Sequence, residues 1–290
     1  MARIIYVLIG GLLLFTSSAG SQDAVQYFNN GLALLKAQNY VEAIKEFTQA
    51  ISLDPDYAEA YYHRAITKDL LAQKEGMNNY ELCYDLLKAT MLGHRDASKM
   101  LVKKSQAQCY NIKNFRIDPE IVFCADFSSN VLNDLPPHAE ELGMLMSLNL
   151  FNNRFTKLGK NIAENHPFLV YINLMSNQIS EISPEIAQLE LLTELNLSEN
   201  QLQTIPTAVC RLKNLKVLIL SSNKINSIPN ELKNLTFLEV LDLSSNQLTN
   251  VPPVLCEMKH LKELMLTANH IDKKQIEQLQ KTLSSTKIYF

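Results

Sequence analysis

Leu192-Thr-Glu-Leu-Asn-Leu-Ser-Glu-Asn200-Gln-Leu-Gln-Thr-Ile-Pro206 returns 23 residues later as Leu215-Lys-Val-Leu-Ile-Leu-Ser-Ser-Asn223-Lys-Ile-Asn-Ser-Ile-Pro229. The asparagine recurs as Asn130, Asn153, Asn177, Asn200, Asn223, Asn246 and Asn269, with gaps of 23 residues and a single 24 before Asn177. A period held that closely means stacked copies of one small unit, each unable to bury its apolar face alone. In the Asn200 unit the apolar residues are Leu192, Leu195, Leu197, Leu202 and Ile205, and in the Asn223 unit Leu215, Leu218, Leu220, Ile225 and Ile228. The leucines five and three places before the asparagine share one face of a short strand, because strand side chains alternate. The two apolar residues after it carry the chain round a bend.

The layout L-x-x-L-x-L-x-x-N-x-L-x-x-[IL]-P-x-x-[ILV] resembles the leucine-rich repeat family, over residues 119–290. Pro136, Pro206, Pro229 and Pro252 occupy the proline place, and Gly159 and Ser183 stand there in the second and third units. The resemblance implies a solenoid with a parallel concave sheet, and a structural ladder of the asparagines inside the bends. A bend carries backbone groups without strand partners, and a short amide side chain can satisfy them.

The 290 residues are enough for two domains. The net charge of -3, with basic residues dispersed, gives no electrostatic case for nucleic acid. Residues 1–20 differ in kind. Arg3, an apolar run from Ile4 to Phe15 and the small residues Thr16 to Gly20 read as a secretory signal peptide. The run is too short to span a bilayer, which takes about 20 apolar residues. The expectation is an exported chain, periplasmic, secreted or at the cell surface, with no transmembrane segment once the signal is removed. An uncleaved anchor is the alternative.

Five cysteines leave at least one unpaired in a monomer. Cys210 and Cys256 stand two repeats apart, about 10 Å at the usual strand spacing, beyond disulfide reach. They read as small buried hydrophobes. Cys109 and Cys124 flank the segment between the two halves and could pair.

Tyr27, Gly31, Tyr40, Ala43, Phe47, Ala50 and Pro55 fall at the aromatic, small and proline places of a helical hairpin whose helices cross closely. This pattern resembles the tetratricopeptide repeat. A second copy opens with Tyr61 and Ala65, has a turn lengthened around Lys74 to Asn79, and ends at Ala89. A helix near Met100 and Leu101 caps the stack. The expected organisation is a signal peptide over 1–20, two tetratricopeptide repeats plus a capping helix over 21–104, a joint over 105–118 and the leucine-rich repeats over 119–290. The resemblance implies a peptide-binding groove, here lined by Phe28, Leu32, Tyr62 and Ile66. Members that clamp a terminal carboxylate carry Lys and Asn where this chain has Phe28 and Leu32. That apolar groove could receive an amphipathic segment, or be covered by residues 104–118 or a partner subunit.

Little in the chain announces catalysis. The six histidines have no metal-type spacing, and no nucleophile elbow, phosphate loop or C-x-x-C is present. No enzyme activity, metal or cofactor is expected. The concave sheet is the better candidate, exposing residues six, four and two places before each asparagine. These bring Phe151, Tyr171, Asn173 and Met175 together on adjacent strands, and Val217, Ile219, Val240 and Asp242 further along. Apolar patches on a rigid face mark partner sites, although strand propensity alone accounts equally well for the Val217 group. A protein or peptide partner is expected. A carbohydrate- or cell-wall-binding accessory role is the alternative, and an intracellular assembly factor is a third if the N-terminus stays uncleaved.

Overall fold

The computed structural model describes residues 18–75, 81–105, 110–111, 122–137 and 139–290. The expected signal segment lies outside these residues apart from Ser18, Ala19 and Gly20, which open the first helix. The lengthened turn beyond Glu75 and most of the 105–118 joint also lie outside them. The chain divides into two compact units between Ala97 and Ser98.

Helices α1 (Ser18–Lys36), α2 (Tyr40–Leu53), α3 (Ala58–Glu75) and α4 (Glu81–Met91) build the first unit, and α5 (Ala97–Ser105) begins at its boundary. Small side chains set the helix crossings, with Ala43, Ala50, Ala60 and Ala65 fully buried. The tightest point is Gly31, where an added Cβ would stand 2.6 Å from the Phe47 ring. That ring occupies the volume a side chain on α1 would need. Helix α4 closes on Gly93 at φ 84°, with the His94 N–H bonded to the Ala89 carbonyl at 2.9 Å. A left-handed residue after the last turn satisfies carbonyls that the helix leaves over. A link not visible in the periodicity pins α3 to α4. Buried Asp85 accepts from Arg64 Nε at 2.9 Å and Nη2 at 2.6 Å, with Lys68 Nζ 3.1 Å away.

The second unit is a parallel nine-stranded sheet. Its strands, in spatial order, are β1 (Tyr110–Asn111), β2 (Cys124–Asp126), β3 (Ser147–Asn149), β5 (Tyr171–Asn173), β7 (Glu194–Asn196), β8 (Val217–Ile219), β9 (Val240–Asp242), β10 (Glu263–Met265) and β11 (Lys287–Tyr289). Register advances by one repeat per strand, so Ser147 aligns with Tyr171, Tyr171 with Glu194 and Glu194 with Val217. Short strands β4 (Lys157–Leu158) and β6 (Glu181–Ile182) pair after the bends.

The return path explains the one 24-residue gap. Most repeats turn back through a 3-10 segment such as Pro184–Gln188, Asn230–Asn234 or Pro253–Glu257, whereas this one uses α6 (Lys160–Asn165). Six α-helical residues rise about 9 Å and five 3-10 residues about 10 Å, so the extra residue fits the same span. The sheet keeps its register across the insertion, which therefore leaves the concave face undisturbed.

Leucines line the core as the pattern requires: Leu192, Leu197, Leu215, Leu218, Leu220, Leu238, Leu241 and Leu243 have 0% exposure. Cys210 is among them, its thiol pushed up to about 12 by burial, and Cys256 is free and half-buried. At the far end α7 (Lys273–Thr282) starts on Asp272, which accepts the Lys274 N–H at 2.7 Å, and buries Ile276 and Leu279 over the last repeat. Among the described residues no helix is long and apolar enough to cross a membrane.

The asparagine ladder has six rungs between repeats rather than seven. Each of Asn153, Asn177, Asn200, Asn223, Asn246 and Asn269 donates through Nδ2 to a carbonyl of the preceding repeat at 2.8 to 3.0 Å. Each accepts through Oδ1 a backbone N–H of that repeat, as Asn200 does from Ile179 at 2.8 Å. Asn130 is the correction. It is exposed, and among the described residues its side chain bonds only to the Ser128 carbonyl of its own bend, while its backbone N–H is held by Asn153 Oδ1. By the β1–β2 register the equivalent carbonyl would belong to Ile112, just beyond β1, which lies outside the described residues. The residue before each asparagine is left-handed: Ser129, Asn152, Ser176, Glu199, Ser222, Ser245 and Ala268 have φ between 52° and 57°. None is glycine, so the rungs hold a conformation that L-residues avoid.

Candidate partner-binding face

The side chains six, four and two places before each ladder asparagine emerge on the concave side, between fully buried neighbours. Phe151, Tyr171, Asn173, Met175, Val217, Ile219, Val240 and Asp242 are each half-buried, whereas Leu148, Ile172, Leu218 and Leu241 between them have 0% exposure. Strand alternation thus separates face from core as expected. Two face positions near β1 are not open: Cys124 is 2% exposed and Ser147 1%. Cys124 is disulfide-bonded, and Cys109, the partner that the sequence suggests, lies outside the described residues.

A second polar row runs along this face, distinct from the ladder. Asp126, Asn149, Asn173, Asn196 and Asp242 each accept, through Oδ1, the backbone N–H two residues on, at 2.9 to 3.1 Å. Asn173 Nδ2 also donates to Asn149 Oδ1 at 3.1 Å, and Asn149 Nδ2 to Asp126 Oδ1 at 3.0 Å. The Asn149 and Asn173 amides are therefore spent inside the face. Their product is positional: Asn149 fixes the backbone of Phe151, and Asn173 that of Met175. The sequence signal was present, an Asn or Asp four places before five of the seven asparagines.

Tyr171 and Glu194 are aligned partners on β5 and β7. Burial, and next the Glu194 charge, raise the Tyr171 hydroxyl above its ordinary value. Burial likewise raises the Glu194 carboxyl, outweighing the pull of Lys216 and then Lys99. Among the described residues the Glu194 carboxylate makes no hydrogen bond and no ion pair, while its backbone N–H is bonded to the Val170 carbonyl at 3.2 Å.

The helical groove is already partly filled by its own unit. Phe28 packs against Phe47, Tyr57 and His63 with centroid distances of 5.8, 4.9 and 5.5 Å. Tyr62 stacks on His94 at 3.9 Å. Leu32 and Ile66 remain half-buried, without such ring contacts. His63 and His94 approach the Glu59 carboxylate at 3.8 and 3.2 Å, a grouping across 35 residues of sequence that spacing does not reveal. Among the described residues no three His, Cys, Asp or Glu side chains form a metal-binding group.

Comparison with known proteins agrees with this architecture. The leucine-rich repeat region family matches residues 164–287, and the TPR repeat family matches residues 31–68. A leucine-rich repeat protein of Leptospira interrogans is 36% identical, with a TM-score of 0.51 over 55% of this chain and 40% of its own. An internalin of Listeria monocytogenes is 26% identical, with a TM-score of 0.48 over 55% of this chain and 45% of its own. The chain thus spans less than half the length of these structures. A search of curated proteins finds no match. The fold is a helical unit of the tetratricopeptide kind followed by a parallel sheet of the leucine-rich repeat kind, an architecture that suggests a protein-interaction scaffold.

Proposed function

We propose that this chain is an exported, non-catalytic scaffold that binds a protein or extended peptide on the concave sheet, centred on Phe151, Tyr171 and Met175. The observation that carries the reading is that Phe151 and Met175 stand half-exposed side by side in register, with Tyr171 half-exposed four residues earlier on β5, on a face whose backbone is fixed by Asn149 and Asn173. Rigid aromatic anchors supply contact area at little entropic cost. Asn173 and Asp242 frame the site, with Val217, Ile219 and Val240 as its flank. Seven strands at about 4.8 Å spacing span some 30 Å, the length of an extended peptide rather than a metabolite. In the helical unit Leu32 and Ile66 are the part of the groove still open to an amphipathic segment.

The carbohydrate alternative would use the Tyr171 ring and the Glu194 carboxylate, unpaired among the described residues, the Asn149 and Asn173 amides being committed to one another. Export is supported by the N-terminal signal pattern and the disulfide at Cys124, since disulfides persist in oxidising compartments. Sequencing the mature N-terminus decides that point, and an intact Met1 refutes export by cleavage. For the face, the double variant Phe151→Ser/Tyr171→Ser should lose the extracellular partner that the wild type captures. Both residues are half-buried, so their stability cost is modest, about 1 kcal/mol each. Undiminished capture, or collapse of the fold, refutes the assignment.

A further inference from the structure

We propose that the occupant of the Phe151–Tyr171–Met175 patch is a cationic segment, whose Lys or Arg side chain lies across the Tyr171 ring with its charge directed at Glu194. This rests on the concave face being the binding surface, and adds the chemistry of what it binds.

The argument starts from charge. The three outward positions on each of the seven repeat strands carry Asp126, Glu194, Asp242 and Glu263, and no Lys, Arg or His. The first basic residue in that row is Lys287 on β11, aligned with Glu263 and lying 4.7 Å over the Tyr289 ring. Among the described residues of the sheet, a cation, an aromatic ring and a carboxylate thus meet at Lys287, Tyr289 and Glu263, the chain's own residues. Tyr171 and Glu194 are likewise a ring and an acid on adjacent strands, here directly in register rather than diagonal, and among the described residues no cation pairs with the acid or lies over the ring.

The remaining acids keep acceptor capacity. The hydrogen bonds of Asp126 and Asp242 all fall on Oδ1, so Oδ2 has no donor among the described residues. Glu194 is the most exacting of the four. Desolvation opposes its charge more than Lys216 and Lys99 favour it, and Lys216 Nζ is itself directed to Ser98 Oγ at 3.4 Å. A purely apolar occupant would cover Phe151 and Met175 while leaving this carboxylate further desolvated and unpaired, which is unfavourable. An acidic occupant meets like charge. A guanidinium or ammonium group instead satisfies the carboxylate by a charge-assisted hydrogen bond and the ring face by cation–π attraction.

The test uses the full chain and a displayed random-peptide library. Selected binders should be enriched in Lys or Arg over the input library, should weaken with salt, and should be lost on Tyr171→Ser. Glu194→Gln, which preserves shape, should weaken them about tenfold, the scale of one desolvated charge pair. Replacing the peptide's Arg by citrulline should weaken binding to the wild type equally, which reads the same contact without altering the protein. Binders that need Tyr171 but show no basic enrichment, and are indifferent to Glu194→Gln and to citrulline, overturn the cation assignment and leave the docking face standing. Binders indifferent to Tyr171 as well overturn the face itself, and this inference with it.

Discussion

Asn200→Ala isolates what one rung of the ladder contributes. The side chain is 3% exposed, donates to the carbonyls of Leu174, Leu197 and Ser198 at 2.9, 3.1 and 3.0 Å, and accepts the Ile179 N–H at 2.8 Å. The three carbonyls each keep another donor when Asn200 goes: Asn177 Nδ2 for Leu174, Asn223 Nδ2 for Leu197 and the Ser176 N–H for Ser198. Ile179 keeps none, and it is fully buried. The orphaned N–H costs about 1–3 kcal/mol and the bonds lost at the carbonyls about 1 kcal/mol more, so roughly 3 kcal/mol is expected. Asn130→Ala removes one exposed local bond and should cost under about 1 kcal/mol. Denaturant midpoints of the two variants, measured with amide exchange at Ile179, check the difference. At about 2–4 °C per kcal/mol for a unit of this size, the Asn200 variant should melt about 6–12 °C lower. Equal losses at the two positions would refute the claim that the rung between repeats, rather than the local bend, holds the stack.

Gly31→Ala should destabilise the helical unit by about 1–3 kcal/mol despite alanine's better helix propensity, because its Cβ meets the Phe47 ring, and Phe47→Leu should recover part of the loss in thermal melts. Ser222→Val places a β-branched residue at φ 57° and should cost about 1–2 kcal/mol, whereas Ser222→Gly should be nearly neutral by the same measurement. Burial lowers the His166 imidazole, against a weaker opposing effect of its Leu142 hydrogen bond, and Nε2 has no partner. The unfolded chain therefore takes up a proton near pH 6.5 that the folded chain refuses, and stability falls as pH drops from there toward the lower folded value. His166→Gln should flatten that decline by about 1.4 kcal/mol per pH unit at most, read from denaturation curves across the window.

Much of the solenoid was legible because its determinants are local and repeated. A period of two within each strand and of 23 between strands separates Leu218 from Val217, or Ile172 from Tyr171, without any three-dimensional information. The 24-residue gap was visible as an irregularity, but its placement on the side away from the sheet depends on α6 taking up one residue in the same length. The polar row through Asn149 and Asn173 needed the structure, since exposed asparagines and asparagines bonded to one another look alike in sequence. Likewise the contacts within the helical unit join residues far apart: His94 reaches Tyr62 in the groove, and Asp85 reaches Arg64 between α3 and α4, through helix crossings whose angles no periodicity specifies. Asn130 was misread for the complementary reason. It carries the motif but has no preceding repeat to bond.

The most direct test of the binding face is a photocrosslinking amino acid placed at position 151 or at position 237, each presented to a library-selected peptide. Phe237 is 60% exposed and precedes β9, so it offers an aromatic surface position off the concave face. The account predicts an adduct from position 151, lost when Tyr171 is Ser, and none from position 237. An adduct from 237 alone, or one from 151 that persists without Tyr171, would contradict it.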